Sequence, residues 1–201
     1  MPDEKRKIFY DEIIFLALIV FSAFFVRLYF VGGLIFSDDA YYNYLAQSFL
    51  NGKFAYNYIG YPIFLTRVLQ TLLTAFSFSL FGVNEFSAIV FPFLFSLANI
   101  PLLYLIAFEL TESKKIALMA ALIMAFFPTD VIFAGINFVD LQSAFLINVG
   151  IYFLIKSVKN GKRKHFFFRS CGILFLFLVP FQGERLFSTH FSFRAIRLRL
   201  R

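Results

Sequence analysis

Ile13-Ile14-Phe15-Leu16-Ala17-Leu18-Ile19-Val20-Phe21-Ser22-Ala23-Phe24-Phe25-Val26-Arg27-Leu28-Tyr29-Phe30-Val31 is an apolar run broken by a single charge, Arg27. At 1.5 Å per residue, a helix of about twenty residues crosses the ~30 Å hydrocarbon layer of a bilayer. Lys5-Arg6-Lys7 precede the run and no small-x-small cleavage site follows it. It therefore reads as an uncleaved first membrane helix with a cytoplasmic N-terminus. The composition extends this to the whole chain, because 60% apolar, 21% aromatic and only 15% charged residues are far too greasy for a soluble domain. The expected fold class is all-α integral membrane, a polytopic helical bundle.

Working outward, apolar segments fall at 13–31, 62–81, 87–108, 115–127, 138–156 and 166–181. If all six crossed, the most basic connection, with Lys156, Lys159, Lys162, Arg163 and Lys164, would lie outside, against the positive-inside rule. One segment must not cross. The candidate is 62–81, where Thr66, Arg67, Gln70, Thr71, Thr74 and Ser77 recur at intervals of three and four and make a polar stripe. Leu65, Leu69, Leu72, Leu73, Phe76 and Leu80 form the other face. Such a helix lies in the interface, and Pro62 suits its first turn. About five transmembrane helices result, with interfacial helices in a first external loop over 32–86.

That topology brings three acids to one side. Asp38 and Asp39 follow the first membrane helix, and Asp140 opens the 138–156 segment. Tyr41, Tyr42, Tyr44, Tyr56, Tyr58 and Tyr61 crowd the loop, as in an interfacial aromatic belt. Ser37 or Asp38 can cap a helix from Asp39 to about Leu50 that Asn51-Gly52 ends. Capping alone would also account for the acid pair, and for Asp140. Against that, an ionisable group near membrane depth is a functional hypothesis by default. Asp130, after Pro128, reads as a turn residue.

The formal net charge of +7 sits in short clusters beside apolar runs, so it reports orientation and no nucleic-acid partner. The one cysteine, Cys171, lies in an apolar stretch and reads as an inert buried thiol. His165 and His190 lie outside any ligand-spacing motif, so no metal site and no cofactor are expected.

Several stretches together resemble the C-type membrane glycosyltransferases, in the branch of the protein O-mannosyltransferases and lipid A aminoarabinose transferases. They are Asp38-Asp39-Ala40-Tyr41-Tyr42, Leu45-Ala46, Asn51-Gly52, Gly60-Tyr61-Pro62, Leu80-Phe81-Gly82-Val83-Asn84-Glu85-Phe86 and Phe138-Val139-Asp140-Leu141. The resemblance covers roughly residues 10–165. It implies an outer-face active site in a multi-pass plasma-membrane protein. The first acid of the pair, Asp38, maps to the catalytic base, Asp39 takes the Glu position, and Asp140 maps to a second site acid. It also implies transfer of a sugar from a polyprenyl-phosphate-linked donor to an acceptor on a protein, lipid or glycan, with inversion.

In the aminoarabinose branch, basic residues stand where this chain has Tyr41 and Tyr61, so the leaving phosphate has no matched ligand. Arg67, Arg27 and Lys53 are the candidate cations, with Tyr41 and Tyr61 as neighbouring substrate contacts. Each cation has an alternative: Arg27 snorkelling to headgroups, Lys53 a solvated loop charge, Arg67 an anchor for the interfacial helix. Relatives of this type carry more helices, so residues 1–165 are expected to be an N-terminal module. Residues 166–201 are then a last helix and a basic tail, from a truncated or frameshifted frame. The competing class is a non-enzymatic membrane protein, a transporter fragment or assembly subunit. Its acids would only cap helices, although transporters place such groups near the midplane.

Overall fold

The computed structural model describes residues 2–35, 37–53 and 67–159, and among them there are helices and no strand. The elements are α1 (Pro2–Tyr29), α2 (Asp38–Leu50), α3 (Val68–Phe81), α4 (Glu85–Thr111), α5 (Lys114–Ala125), α6 (Pro128–Phe133) and α7 (Asp140–Lys159). Three continuous helices, α1 from Glu12 onward, α4 and α7, are long and apolar enough to cross a membrane. The protein is a polytopic helical membrane protein. Along α1, Phe15, Leu18, Phe21 and Phe25 are exposed, which is tolerable only against lipid.

The single helix expected over 115–127 is instead a bent pair of helices. Lys114–Ala125 and Pro128–Ala134 together are long enough to cross but are bent by 53°. Pro128 supplies no N–H and forces the residue before it out of the helical region, and Phe127 accordingly has φ −67° and ψ 116°. The described residues thus hold three continuous helices long enough to cross and one bent pair of that combined length. The fifth expected crossing, 166–181, lies outside them.

α4 runs through the middle, packed against α1, α3, α5 and α7. Ala117, Ala121 and Ala125, four apart along α5, are fully buried, and two of them form a core with Ala23 of α1 and Ile100 of α4. Small side chains let membrane helices approach closely where no hydrophobic effect drives them together. A second alanine cluster, Ala46, Ala75 and Ala88 with Phe78, docks α2 on α3 and both on the start of α4.

α3 has 14 residues, about 21 Å, too short to span. Its predicted start at Pro62 lies outside the described residues, and the helix begins at Val68. The polar stripe is present but turned inward: Gln70, Thr71, Thr74 and Ser77 are buried, whereas Leu69, Leu72, Phe76 and Leu80 are exposed. Gly82, with φ +77°, ends α3, and Asn84 starts α4 in a reciprocal capping box with Ser87. Local helix-end chemistry thus explains two residues of the Gly82-Val83-Asn84 stretch.

The ends of the bundle are fixed by contacts. At one end Lys114 pairs with Glu12 at 2.7 Å and Lys159 with Glu112 at 2.9 Å. At the other, Gly135 comes so close to the end of α1 that an added Cβ would sit 3.0 Å from the Val31 Cα. The segments leading to Asp38 and Asp140 therefore leave the bundle at the same end, away from Lys114 and Lys159.

Candidate functional site

The site begins at the N-terminus of α2. Ser37 occupies the N-cap position but makes no side-chain capping bond, and Asp38 is half-buried. The expected capping by Ser37 or Asp38 is replaced by a different device. The Asp39 carboxylate, 1% exposed, accepts the backbone N–H groups of Ile35 at 2.7 Å and Ser37 at 2.8 Å. It pins the incoming loop to the helix and leaves Asp38 at the surface beside it.

One turn along α2 stands Tyr42, fully buried, a residue that sequence reasoning placed only in the aromatic belt. Its phenol oxygen accepts a hydrogen bond of 2.7 Å from Nη1 of Arg67. Burial pushes the phenol above the ordinary tyrosine range. The Arg67 bond and charge pull it down, and the fields of Asp38 and Asp140 push it up. Two acids about a hundred residues apart thus act on one oxygen atom, with Arg67 bonded to it. Asp140 is exposed and Arg67 half-buried, whereas the phenol between them is buried.

Beneath these groups runs a layer of side-chain amides. Asn137, 1% exposed, accepts at Oδ1 from Gln70 and from Thr74, the latter at 3.2 Å, and donates from Nδ2 to Asn43 Oδ1 at 2.6 Å. The polar stripe of α3 was the one sequence signal for this layer, and its partners lie on α2 and on the connection into α7.

The other candidate cations are elsewhere. Arg27 is fully buried. Its Nε donates to Ser96 Oγ at 2.5 Å. Nη1 donates to the carbonyls of Ala23 and Ala125, and Nη2 to that of Met124 and to Asp130 Oδ2, the last at 2.6 Å. Ser96 also donates to Asp130. All five guanidinium N–H positions are used, so Arg27 neither snorkels nor has a donor left for a phosphate. Asp130 is likewise no simple turn residue. It is the buried counter-ion of Arg27, and together they satisfy carbonyls freed at the end of α5.

Lys53 is exposed and follows α2 at the end remote from Asp38, about 20 Å along the helix. Tyr41 is half-buried, its phenol raised by burial and then by Tyr44. Tyr61, His165, Cys171 and His190 lie outside the described residues. Among the described residues no three His, Cys, Asp or Glu side chains are grouped to hold a metal ion. An apolar groove of about 190 Å³ runs between α1 and α4 from the site end of the bundle, lined by Phe24, Leu28, Val31, Phe86, Val90 and Phe93 among others.

The sequence model of the dolichyl-phosphate-mannose-protein mannosyltransferase family matches residues 68–181, more than half of the chain. The chain belongs to that family. It is a membrane glycosyltransferase of the C type, in agreement with the resemblance noted above. The mannosyltransferase match contains α3 to α7, and with them Asp140, Asn137, Gln70 and Thr74, while Asp38, Asp39, Asn43 and Arg67 precede it. No curated protein and no solved structure matches the chain.

Proposed function

We propose that this chain transfers a sugar, mannose by its family's name, from a polyprenyl-phosphate carrier to a hydroxyl of a protein acceptor. The reaction takes place on the outer face of the plasma membrane, with the N-terminus cytoplasmic. What supports this reading is the Arg67–Tyr42 hydrogen bond, at a phenol that also feels the charges of Asp38 and Asp140, at the bundle end away from Lys114 and Lys159.

Asp38 takes the proton of the acceptor hydroxyl as its oxygen attacks the anomeric carbon. The bond from that carbon to the phosphate oxygen breaks on the opposite face, so the configuration inverts. The phosphate leaves with the electron pair, and Arg67 offsets the charge that develops on it, because positioned cations act most where charge appears in the transition state. Asp140 accepts hydrogen bonds from hydroxyls of the reacting partners. Asp39, occupied by two loop amides, keeps Asp38 in place. Tyr41 contacts the sugar, and Lys53 meets headgroups. The groove between α1 and α4 takes the first hydrocarbon units of the carrier, and residues 1–165 carry the site as one module.

The test is transfer from polyprenyl-phosphate mannose to a Ser/Thr peptide by the purified full chain and by Asp38→Asn. The variant should fold normally and transfer about 10²–10⁴-fold more slowly, the usual range for a lost general base. Wild-type rates in Asp38→Asn would refute the assignment.

A further inference from the structure

Every group of the site lies within five residues of a member of the buried amide layer. Asn43 lies four residues beyond Asp39 and next to Tyr42, Gln70 three beyond Arg67, and Asn137 three before Asp140. We infer that Asn137 is a positioning residue, whose carboxamide fixes Asp140 relative to Asp38 and Arg67. This rests on the transferase reading above.

The chemistry favours an amide at this point. One side chain must join three elements, and Asn137 does so by accepting from Gln70 and Thr74 on α3 and donating to Asn43 on α2. Asn137 itself lies on the connection between α6 and α7. Apolar packing holds such elements together without fixing direction, whereas a buried hydrogen-bond node is directional and strengthened by its low-dielectric surroundings. Apolar packing already seats the connection, with Ala134 and Ile136 buried and Gly135 against the end of α1, and the Asn137 side chain adds the directional tie. Between the end of α6 and Asp140 its backbone makes only turn bonds, Gly135 to Ile132, Ile136 to Phe133 and Phe138 to Ile136. Asp140 is exposed at its end, so the side chain of Asn137 carries the register of that acid onto α2 and α3.

The test uses Asn137→Leu and the triple variant Asn43→Leu/Gln70→Leu/Asn137→Leu. The triple variant removes the three amides together, so that only the Thr74 hydroxyl, which can turn to a carbonyl of its own helix, loses a partner, and it keeps the experiment open if the single variant fails to fold. Two readouts are taken on the full chain. Transfer kinetics with polyprenyl-phosphate mannose should show kcat about 100-fold lower, the scale of an ångström misplacement, with KM for the donor unchanged. Spin labels at Leu50→Cys and Ile132→Cys, in a Cys171→Ser background, should give a narrow distance distribution in the parent and a broadened one in the variants. Active variants with unchanged kcat, or an unchanged distance distribution, would overturn the inference while leaving the transferase reading intact. A parent that transfers no sugar would overturn that reading, and with it the role given to Asn137.

Discussion

The protein contains two arginine–aspartate constellations with opposite settings. In one, Arg27, Ser96 and Asp130 are buried and satisfy one another and the carbonyls at the break between α5 and α6. In the other, Arg67, Asp38 and Asp140 are half-buried or exposed around the Tyr42 phenol. The residue types are the same, and what separates them is burial, the first set being sealed inside the bundle and the second reaching its surface. A guanidinium with every N–H engaged can hold a bent span in place but cannot receive a substrate. The constellation around Tyr42 is the one proposed to meet substrate.

The largest effect expected from this contrast is on folding. Asp130→Ala leaves the Arg27 charge buried without its partner, which typically destabilises by about 3–5 kcal/mol. Thermal unfolding in detergent should show most of the protein lost. Arg27→Met combined with Asp130→Leu should recover much of it, since apolar replacement of a whole buried pair is often neutral. Recovery of transfer in the double variant would also show that Arg27 is not a phosphate ligand.

At the open site the same kind of change should spare the fold. Arg67→Ala is expected to lower the transfer rate about 100-fold, comparable to removing one charge-stabilising donor, with little change in melting temperature. A melting shift as large as that of Asp130→Ala would erase the distinction between the two regions.

Tyr42→Phe should be milder, about tenfold in rate, because Arg67 loses an orienting acceptor and keeps its charge. It also has a pH signature. Burial holds the Tyr42 phenol above its unfolded value of 10.0, so the folded state keeps its proton longer. The associated stability is complete below the unfolded value and is lost as pH rises through the folded one. Tyr42→Phe should therefore shift alkaline unfolding to higher pH. The smallest effect is at the opposite end of the bundle. There Lys159 holds the Glu112 carboxyl below its ordinary range, through a hydrogen bond first and its charge second. That stability is present at neutral pH and lost as pH falls through the depressed value. Because the pair is exposed, Lys159→Ala should alter only the acid limb of a stability curve, and barely.

Much of the scaffold was legible from the chain. Apolar run lengths gave the spans, Asn51-Gly52 closed α2 as expected, and the charge rule singled out the segment of α3 as one that does not cross. The bundle-end contacts of Lys114 and Lys159 agree with the predicted grouping of the three acids. Three features were hidden for a common reason. Arg27 finds Asp130, α3 turns its polar stripe inward, and Asn137 joins Asn43 to Gln70 only once distant segments pack. A local pattern shows that a helix has a polar face, but not whether water or another amide will satisfy it. The break after α5 was different, since Pro128 stood in the sequence as its cause.

The most direct test of the central claim concerns the sidedness of the two acids. Asp38→Cys and Asp140→Cys, each in a Cys171→Ser background, would be treated with a membrane-impermeant maleimide in intact cells and in inverted vesicles. Labelling of both positions in intact cells and of neither in inverted vesicles is predicted. Labelling of the two positions from opposite sides would contradict a shared site.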